Sequence, residues 1–321
     1  MGSDPARWFP RSAFALLNLK KMPSESPLND WPQFSVVIAT LGGATLVETI
    51  SALNGGSIQP AEILVCIPVE EAASVSDLKT GNVRLVVTSC RGQVAQRAVG
   101  FRSVKHDYVL QLDDDMLVAP DCVEQLMATL KAVYGKTVLS PALIDVESGQ
   151  SLYQRPKRTK LLSAMYYWLM NGSAGYRPGC VLRSGVAIGV DYRRATSRLV
   201  EVEWLPGGCV MHRKENLVVE NYYPFPGKAH GEDVIHSWCL RQKGCTLLID
   251  TLAKCKTRTP VLPESFGEGV RCAGQILRVQ RYYMTKMARQ SFSLYFSYAV
   301  NVSRALIGAA AYRKKKLFGR Q

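Results

Sequence analysis

The chain has 321 residues, 47% of them apolar, enough to bury one large domain or two smaller ones and too many for a disordered chain. Lys and Arg outnumber Asp and Glu by 40 to 26, a net +14, which suits an anionic partner: a phosphorylated substrate, an anionic lipid surface or a nucleic acid. The nine cysteines are scattered, with no Cys-x-x-Cys, which argues against a disulfide framework or a zinc site and for a reducing cytoplasm.

Residues 7–21 mix basic and apolar groups, and their apolar core, 13–17, is too short for a secretory signal or a membrane span. This segment reads as a basic amphipathic surface helix or a tail, followed by a Pro- and Ser-rich linker to residue 32. Residues 34–39 are a continuous, largely β-branched run, the signature of a strand buried on both faces. Thr40-Leu41-Gly42-Gly43 turns the chain, and 45–53 reads as a helix. Strands follow at 62–67 and 83–88, a helix at 93–104, a fourth strand at 108–112 and a helix at 121–133. Strands alternating with helices predict a parallel sheet with helices on both faces, and a ligand beyond the carboxyl ends of the strands.

The fourth strand empties into Asp113-Asp114-Asp115. Carboxylate oxygens suit a hard cation, Mg²⁺ or Mn²⁺, and such ions commonly hold substrate phosphates in turn. On an extended strand Asp113 and Asp115 share one face and Asp114 points away. A solvated acidic turn ahead of the next helix is the plain alternative. Gly42-Gly43 lacks the G-x-G-x-x-G pattern of a dinucleotide site, and Tyr134-Gly135-Lys136-Thr137 lacks the earlier glycine of a phosphate-binding loop.

The second half is organised differently. A basic stretch with Arg155, Lys157, Arg158 and Lys160 precedes an apolar, aromatic segment at 161–170. Trp204-Leu205-Pro206-Gly207-Gly208 reads as a turn with close backbone approach. Glu232-Asp233 opens a helix that Gly244 ends. Acidic residues at that position favour the helix macrodipole; a carboxylate there can also take a proton from an acceptor hydroxyl. A strand follows at 246–249, and 275–311 reads as one long, largely helical and apolar stretch before Arg313-Lys314-Lys315-Lys316. Asn301 and Arg304 interrupt its apolar run, so an interfacial helix fits better than a span.

Four segments together resemble the inverting family-2 glycosyltransferases of the bacterial surface-polysaccharide type, which have the GT-A fold. They are Ser35 to Thr40; Arg91-Gly92 with Arg97 and Gly100; Leu112-Asp113-Asp114-Asp115-Met116, matching a DxD motif; and the Gly231-Glu232-Asp233 helix with Arg241 and Gly244. The resemblance implies an α/β, Rossmann-like, mainly parallel sheet flanked by helices, with C-terminal amphipathic helices. It implies a nucleotide-sugar donor held by Thr40, Arg97, Asp113, Asp114, Asp115 and Lys286, with Asp113 and Asp115 on Mg²⁺ or Mn²⁺. Asp233 would be the general base, Glu232 would order it or hold the acceptor, and Trp204, Gly207 and Gly208 would face the acceptor.

The expected organisation is a basic segment and linker (1–32), a nucleotide-sugar half (33–145), an acceptor half (146–260) and a helical, membrane-associated region (261–321). The expected partner is a glycan or lipid-linked glycan at the anionic cytoplasmic face of the membrane. No nucleic acid is expected, because no basic-aromatic module appears. Three departures stand out: Val65-Cys66-Ile67-Pro68 lacks an acidic residue for the nucleoside, Ala98 replaces the family's usual Asn, and no histidine stands near residues 253–256. An inactive glycosyltransferase-like scaffold and a metal-dependent nucleotidyltransferase are the rival readings.

Overall fold

Burial on both faces is what a run such as Phe-Ser-Val-Val-Ile-Ala requires, and all of β1 (Phe34–Ala39) is buried at the middle of a sheet. It pairs in parallel with β2 (Glu62–Pro68) on one side and β4 (Tyr108–Asp113) on the other, and β2 pairs in parallel with β3 (Val83–Thr88). The structure is a computed structural model describing residues 31–78, 81–154, 160–225, 229–258, 265–289 and 292–318. Residues 33–321 form one compact unit. The basic N-terminal segment and residues 155–159 lie outside the described residues.

The spatial order β3-β2-β1-β4 carries the chain outward from β1 and then back across it. That reversal leaves a crevice at the carboxyl ends of β1 and β4, where Ala39 pairs with Asp113 and Thr40 follows. Helices α1 (Leu46–Asn54) and α2 (Gln93–Ser103) make crossovers. Helix α2 lies unusually close to the sheet because Gly100 has no side chain. A Cβ there would sit 2.5 Å from Cys66 Sγ and 2.6 Å from a Val37 methyl.

Beyond β4 the sheet becomes mixed. Strand β8 (Cys209–Arg213) runs antiparallel to both β4 and β6 (Thr137–Asp145), and β6 runs parallel to β9 (Thr246–Thr257). Short strands β5 (Leu117–Val118) and β7 (Leu199–Glu201) pair antiparallel with β9. The β4–β8 register matters most: it sets Leu112 opposite Cys209, and the Asp113 amide donates to the Gly208 carbonyl at 2.8 Å. Helix α3 (Cys122–Ala132) covers β6 and β9, and α5 (Glu232–Gln242) leads into β9.

Three elements differ from the sequence reading. Strand β6, fully buried, is absent from it because Ser140-Pro141 breaks the apolar run; the sheet absorbs the proline at a register shift between Pro141 and Ala142. Strand β9 extends to Thr257 through an alternating segment in which Ala253, Cys255 and Thr257 are buried and Leu252, Lys254 and Lys256 exposed. The predicted long helical stretch is two helices, α6 (Phe266–Lys286) and α7 (Ser293–Phe318). Ala288 breaks it by adopting φ +52°, where the Arg289 amide closes onto the Met284 carbonyl at 2.8 Å. Arg289 then pairs with Glu203 at 3.0 Å, pinning the corner to the body.

Helix α7 packs against α6 and against α4 (Lys160–Asn171). Helix α4 buries Tyr167 and Met170 and exposes Leu161, Leu162, Met165 and Trp168. Among the described residues no helix is long and apolar enough to cross a membrane.

Candidate active site

The two acidic clusters of the sequence meet through one buried arginine. On α2, Gln93 and Arg97 are four residues apart and so share a face. That face looks onto the end of β4: Gln93 Nε2 donates to Asp113 Oδ1 at 2.8 Å, and Arg97 Nη2 donates to the same oxygen at 2.9 Å. The other nitrogen of the guanidinium, Nη1, donates to Glu232 Oε1 at 3.0 Å. Arg97 is 1% exposed, and its planar fork is what lets one side chain bridge two carboxylates.

Glu232 and Asp233 form the first turn of α5, after Gly231 in the left-handed region at φ +65°. The helix start favours their charge, and Asp233 Oδ1 accepts from the Val234 amide at 2.9 Å. Both oxygens of Glu232 are engaged, since Tyr222 donates its hydroxyl to Oε2 at 2.7 Å. Tyr222 stacks in turn on the His236 ring, 5.3 Å between centroids and 2° from parallel. Glu232 is therefore anchored within the protein by a bond on each of its oxygens.

Two glycines keep the space between the clusters open. A Cβ on Gly207 would lie 2.6 Å from Glu232 Oε1 and 3.3 Å from the Asp233 Cβ; one on Gly208 would lie 3.5 Å from Asp113 Oδ2. Gln111, buried in β4, donates to the Gly207 carbonyl and holds the turn in place. Gly207→Ala should therefore push Glu232 off Arg97 or displace the turn, lowering any activity of the site about 100-fold. Gly208→Ala, which meets chiefly the flexible Met116 thioether at 3.0 Å, should be milder. Steady-state rates of the two variants check this; a wild-type rate for Gly207→Ala would contradict it.

The electrostatics follow from the same contacts. Burial, reinforced by Glu232 and Asp115, pushes the Asp113 carboxyl up to about 6 despite Arg97. Burial and the adjacent Glu232 push Asp233 up to about 7. Burial works against the charge on Arg97, yet Glu232 and Asp113 outweigh it and raise its pKa. Asp113, Asp115, Glu232 and Asp233 outnumber this arginine, so the cleft keeps a negative excess that a divalent cation would neutralise. Among the described residues no three His, Cys, Asp or Glu side chains form a closed metal cage. Mg²⁺ is commonly held by one or two carboxylates, with phosphates and water completing the shell, and Asp113 with exposed Asp115 fits an open site of that kind.

The remaining predicted residues divide. Thr40 donates to Asp114 Oδ2 and accepts the Gly42 amide at 2.9 Å, fixing the loop at the crevice. Arg97, expected to meet a diphosphate, is committed to two carboxylates. Trp204 is buried, donates Nε1 to the Ile188 carbonyl at 3.1 Å and packs edge-on to Tyr153, so it supports the turn from below and offers no open face. Lys286 is exposed at the end of α6, its ammonium 5.6 Å from the Tyr282 ring centroid. Two residues that sequence reasoning passed over complete the network: Gln93 and Tyr222. The helical spacing of Gln93 and Arg97 was an available signal; nothing local marks Tyr222.

Residues 35–185 match the family described as Glycosyl transferase family 2. This part of the chain is similar to family 2 glycosyltransferase domains. The match takes in Thr40, Arg97 and Asp113–Asp115 and stops short of Gly207, Glu232 and Asp233. A solved structure of GalNAc-T7 with UDP, GalNAc and Mn²⁺ shares the fold, with TM-score 0.51 and 19% identity over 72% of this chain and 44% of that one. The chain thus shares the GT-A architecture of that structure. A structure of S. aureus TarS 1-349 in complex with UDP-GlcNAc aligns with TM-score 0.43 and 16% identity over 77% of this chain and 66% of that one. The chain spans less than two thirds of the length of either. No curated protein matches it.

Proposed function

We propose that the chain is an inverting, metal-assisted glycosyltransferase that moves a sugar from a nucleotide-sugar to a hydroxyl of a glycan or lipid-linked glycan. The observation that carries this reading is the Asp113–Arg97–Glu232 bridge, which ties the DxD turn to the helix bearing Asp233 across Gly207 and Gly208. Asp113 and Asp115 would hold Mg²⁺ or Mn²⁺ together with the donor diphosphate, and the ion would supply positive charge where negative charge grows on the leaving nucleoside diphosphate. Thr40 and Asp114 shape the loop on which the donor rests. Asp233 accepts the proton of the acceptor hydroxyl as its oxygen attacks the anomeric carbon from the side opposite the leaving group, which inverts that centre. Arg97 and Glu232 position the two working carboxylates.

Bacterial surface-polysaccharide assembly at the inner face of the membrane is the setting we favour. Leu161, Leu162, Met165, Trp168 and Leu169 form an exposed apolar row on α4, and Phe292, just before α7, and Tyr295, Leu306 and Ile307 within it are exposed as well. An apolar surface of that kind beside a sequence rich in Lys and Arg suits an anionic lipid surface.

The metal assignment has its own test. Asp115→Ala should lower Mn²⁺-dependent affinity for the donor at least tenfold, read by calorimetry across a nucleotide-sugar panel with and without Mn²⁺. Affinity equal to wild type in the presence of the ion would count against a ligand at Asp115.

A further inference from the structure

A run of rings crosses from α2 to α5 beside the Arg97–Glu232 bridge. The centroids of Phe101 and His212 lie 6.0 Å apart, edge to face, and those of His212 and His236 lie 5.6 Å apart; His236 then stacks on Tyr222. Phe101 stands four residues beyond Arg97, and His236 four beyond Glu232, so each shares its partner's helix face. The rings thus form a second link between the helices, and Tyr222 belongs to both links. Its ring closes the stack, and its hydroxyl ends on Glu232 Oε2. The stack carries no charge near neutral pH. Burial holds the His236 imidazole down at about 3 and His212 well below its ordinary range. Burial and the Glu232 charge hold the Tyr222 phenol well above its ordinary range, so it stays a donor.

We infer that Tyr222 is a positioning residue of the transfer reaction: it fixes Glu232 against Arg97 and limits how much of the Glu232 charge reaches Asp233. The hydroxyl hydrogen is positive and points at the Glu232 oxygen, so it offsets part of that charge. Without it, Oε2 is bare in a buried site and free to turn toward Asp233, the next residue along the chain. Either change makes the surroundings of Asp233 more negative and its proton harder to remove. The other groups around Asp233 do not replace the hydroxyl. Arg97 already holds the other Glu232 oxygen, and Asp113 at the end of β4 adds negative charge. Tyr153, Tyr223 and Tyr283 are held neutral by burial and by Asp233 itself. His230 and Arg304 line, with Asp233, a cavity of about 240 Å³ walled by α4, α6 and α7. Tyr222 has this task in catalysis only if Asp233 is the base.

Reading the Asp233 proton without turnover separates the two claims. Carbon NMR on the full chain, with aspartate labelled at Cγ, shows that carboxyl as the signal missing from Asp233→Asn. Its midpoint should fall at about pH 7 in the wild type. In Tyr222→Phe, which keeps the ring on His236 and loses only the hydroxyl, it should lie about one pH unit higher. Transfer by that variant should fall about fivefold at pH 7 and return to near the wild-type rate at pH 9, where Asp233 is ionised in both proteins. A merely misplaced side chain would lose rate at every pH. Glu232→Gln removes the charge that Tyr222 offsets, so adding Tyr222→Phe to it should move the midpoint by less than about 0.3 pH unit. The shift should survive in a His230→Gln background, which excludes the imidazole as its source. A midpoint moved by less than about 0.3 pH unit in Tyr222→Phe, or moved as far with Glu232→Gln as without it, overturns the role of Tyr222. The base fails on a different result, transfer by Asp233→Asn.

Discussion

Asp233→Asn should lower sugar transfer by about 100- to 10,000-fold while leaving donor affinity within about twofold of wild type. The asparagine keeps the shape of the side chain and can still accept the Val234 amide, so α5 should start as before. What it loses is the ability to take a proton. In the proposed reading the donor sits at Asp113 and Asp115, on the far side of Gly207 and Gly208, so its binding should be nearly indifferent to the change. The same residue sets the pH dependence. An acid raised to about 7 is largely protonated, and idle as a base, below that pH. The rate at saturating donor should therefore rise about tenfold per pH unit up to about 7 and then level off. A variant with full activity, or a wild-type profile flat between pH 5 and 8, would remove Asp233 from that role.

Arg97→Met should destabilise the fold by about 3–5 kcal/mol, because it strands the carboxylates of Asp113 and Glu232 without their shared cation. Methionine fills much of the same volume, so the loss would come from charge and hydrogen bonding rather than from a cavity. Arg97→Lys should recover only part of it, since one ammonium lacks the fork that reaches both partners. Pairing Arg97→Met with Glu232→Gln should recover part as well, because the stranded charge is then removed. Urea unfolding midpoints of the variants measure this. A loss below about 1 kcal/mol for Arg97→Met would mean that the bridge is incidental to the fold.

Those two residues also show how far the sequence could be read. Val36 to Ala39 and Asp113 to Asp115 announce themselves locally: one by an unbroken apolar run, the other by charge at a strand end. Asp233 is legible for the same reason, as an acidic pair at a helix start. The partnership of Arg97 with Glu232 joins residues 135 positions apart, and no local pattern encodes it. Arg97 was expected to face the donor because a positive residue near a diphosphate is the simplest guess; burial between two carboxylates gives it a structural task first. Trp204 is ambiguous in sequence for a related reason, since an aromatic beside a glycine turn suits a sugar platform as well as the packed support found here. Strand β6 was hidden by Pro141, and the break between α6 and α7 by an alanine in a conformation usually left to glycine. The cavity beside Asp233 draws on α4, α5, α6 and α7, which share a wall only after the chain has folded.

A structure of the protein grown with Mn²⁺ and the nucleoside diphosphate of whichever donor in a nucleotide-sugar panel it binds tests the central claim most directly. The account predicts Mn²⁺ anomalous signal within bonding distance of Asp113 or Asp115, the β-phosphate on that ion, and Asp233 facing the same cleft across Gly207 and Gly208. Nucleotide and metal bound away from the aspartate turn, or held there with Asp233 sealed off from them, would contradict it.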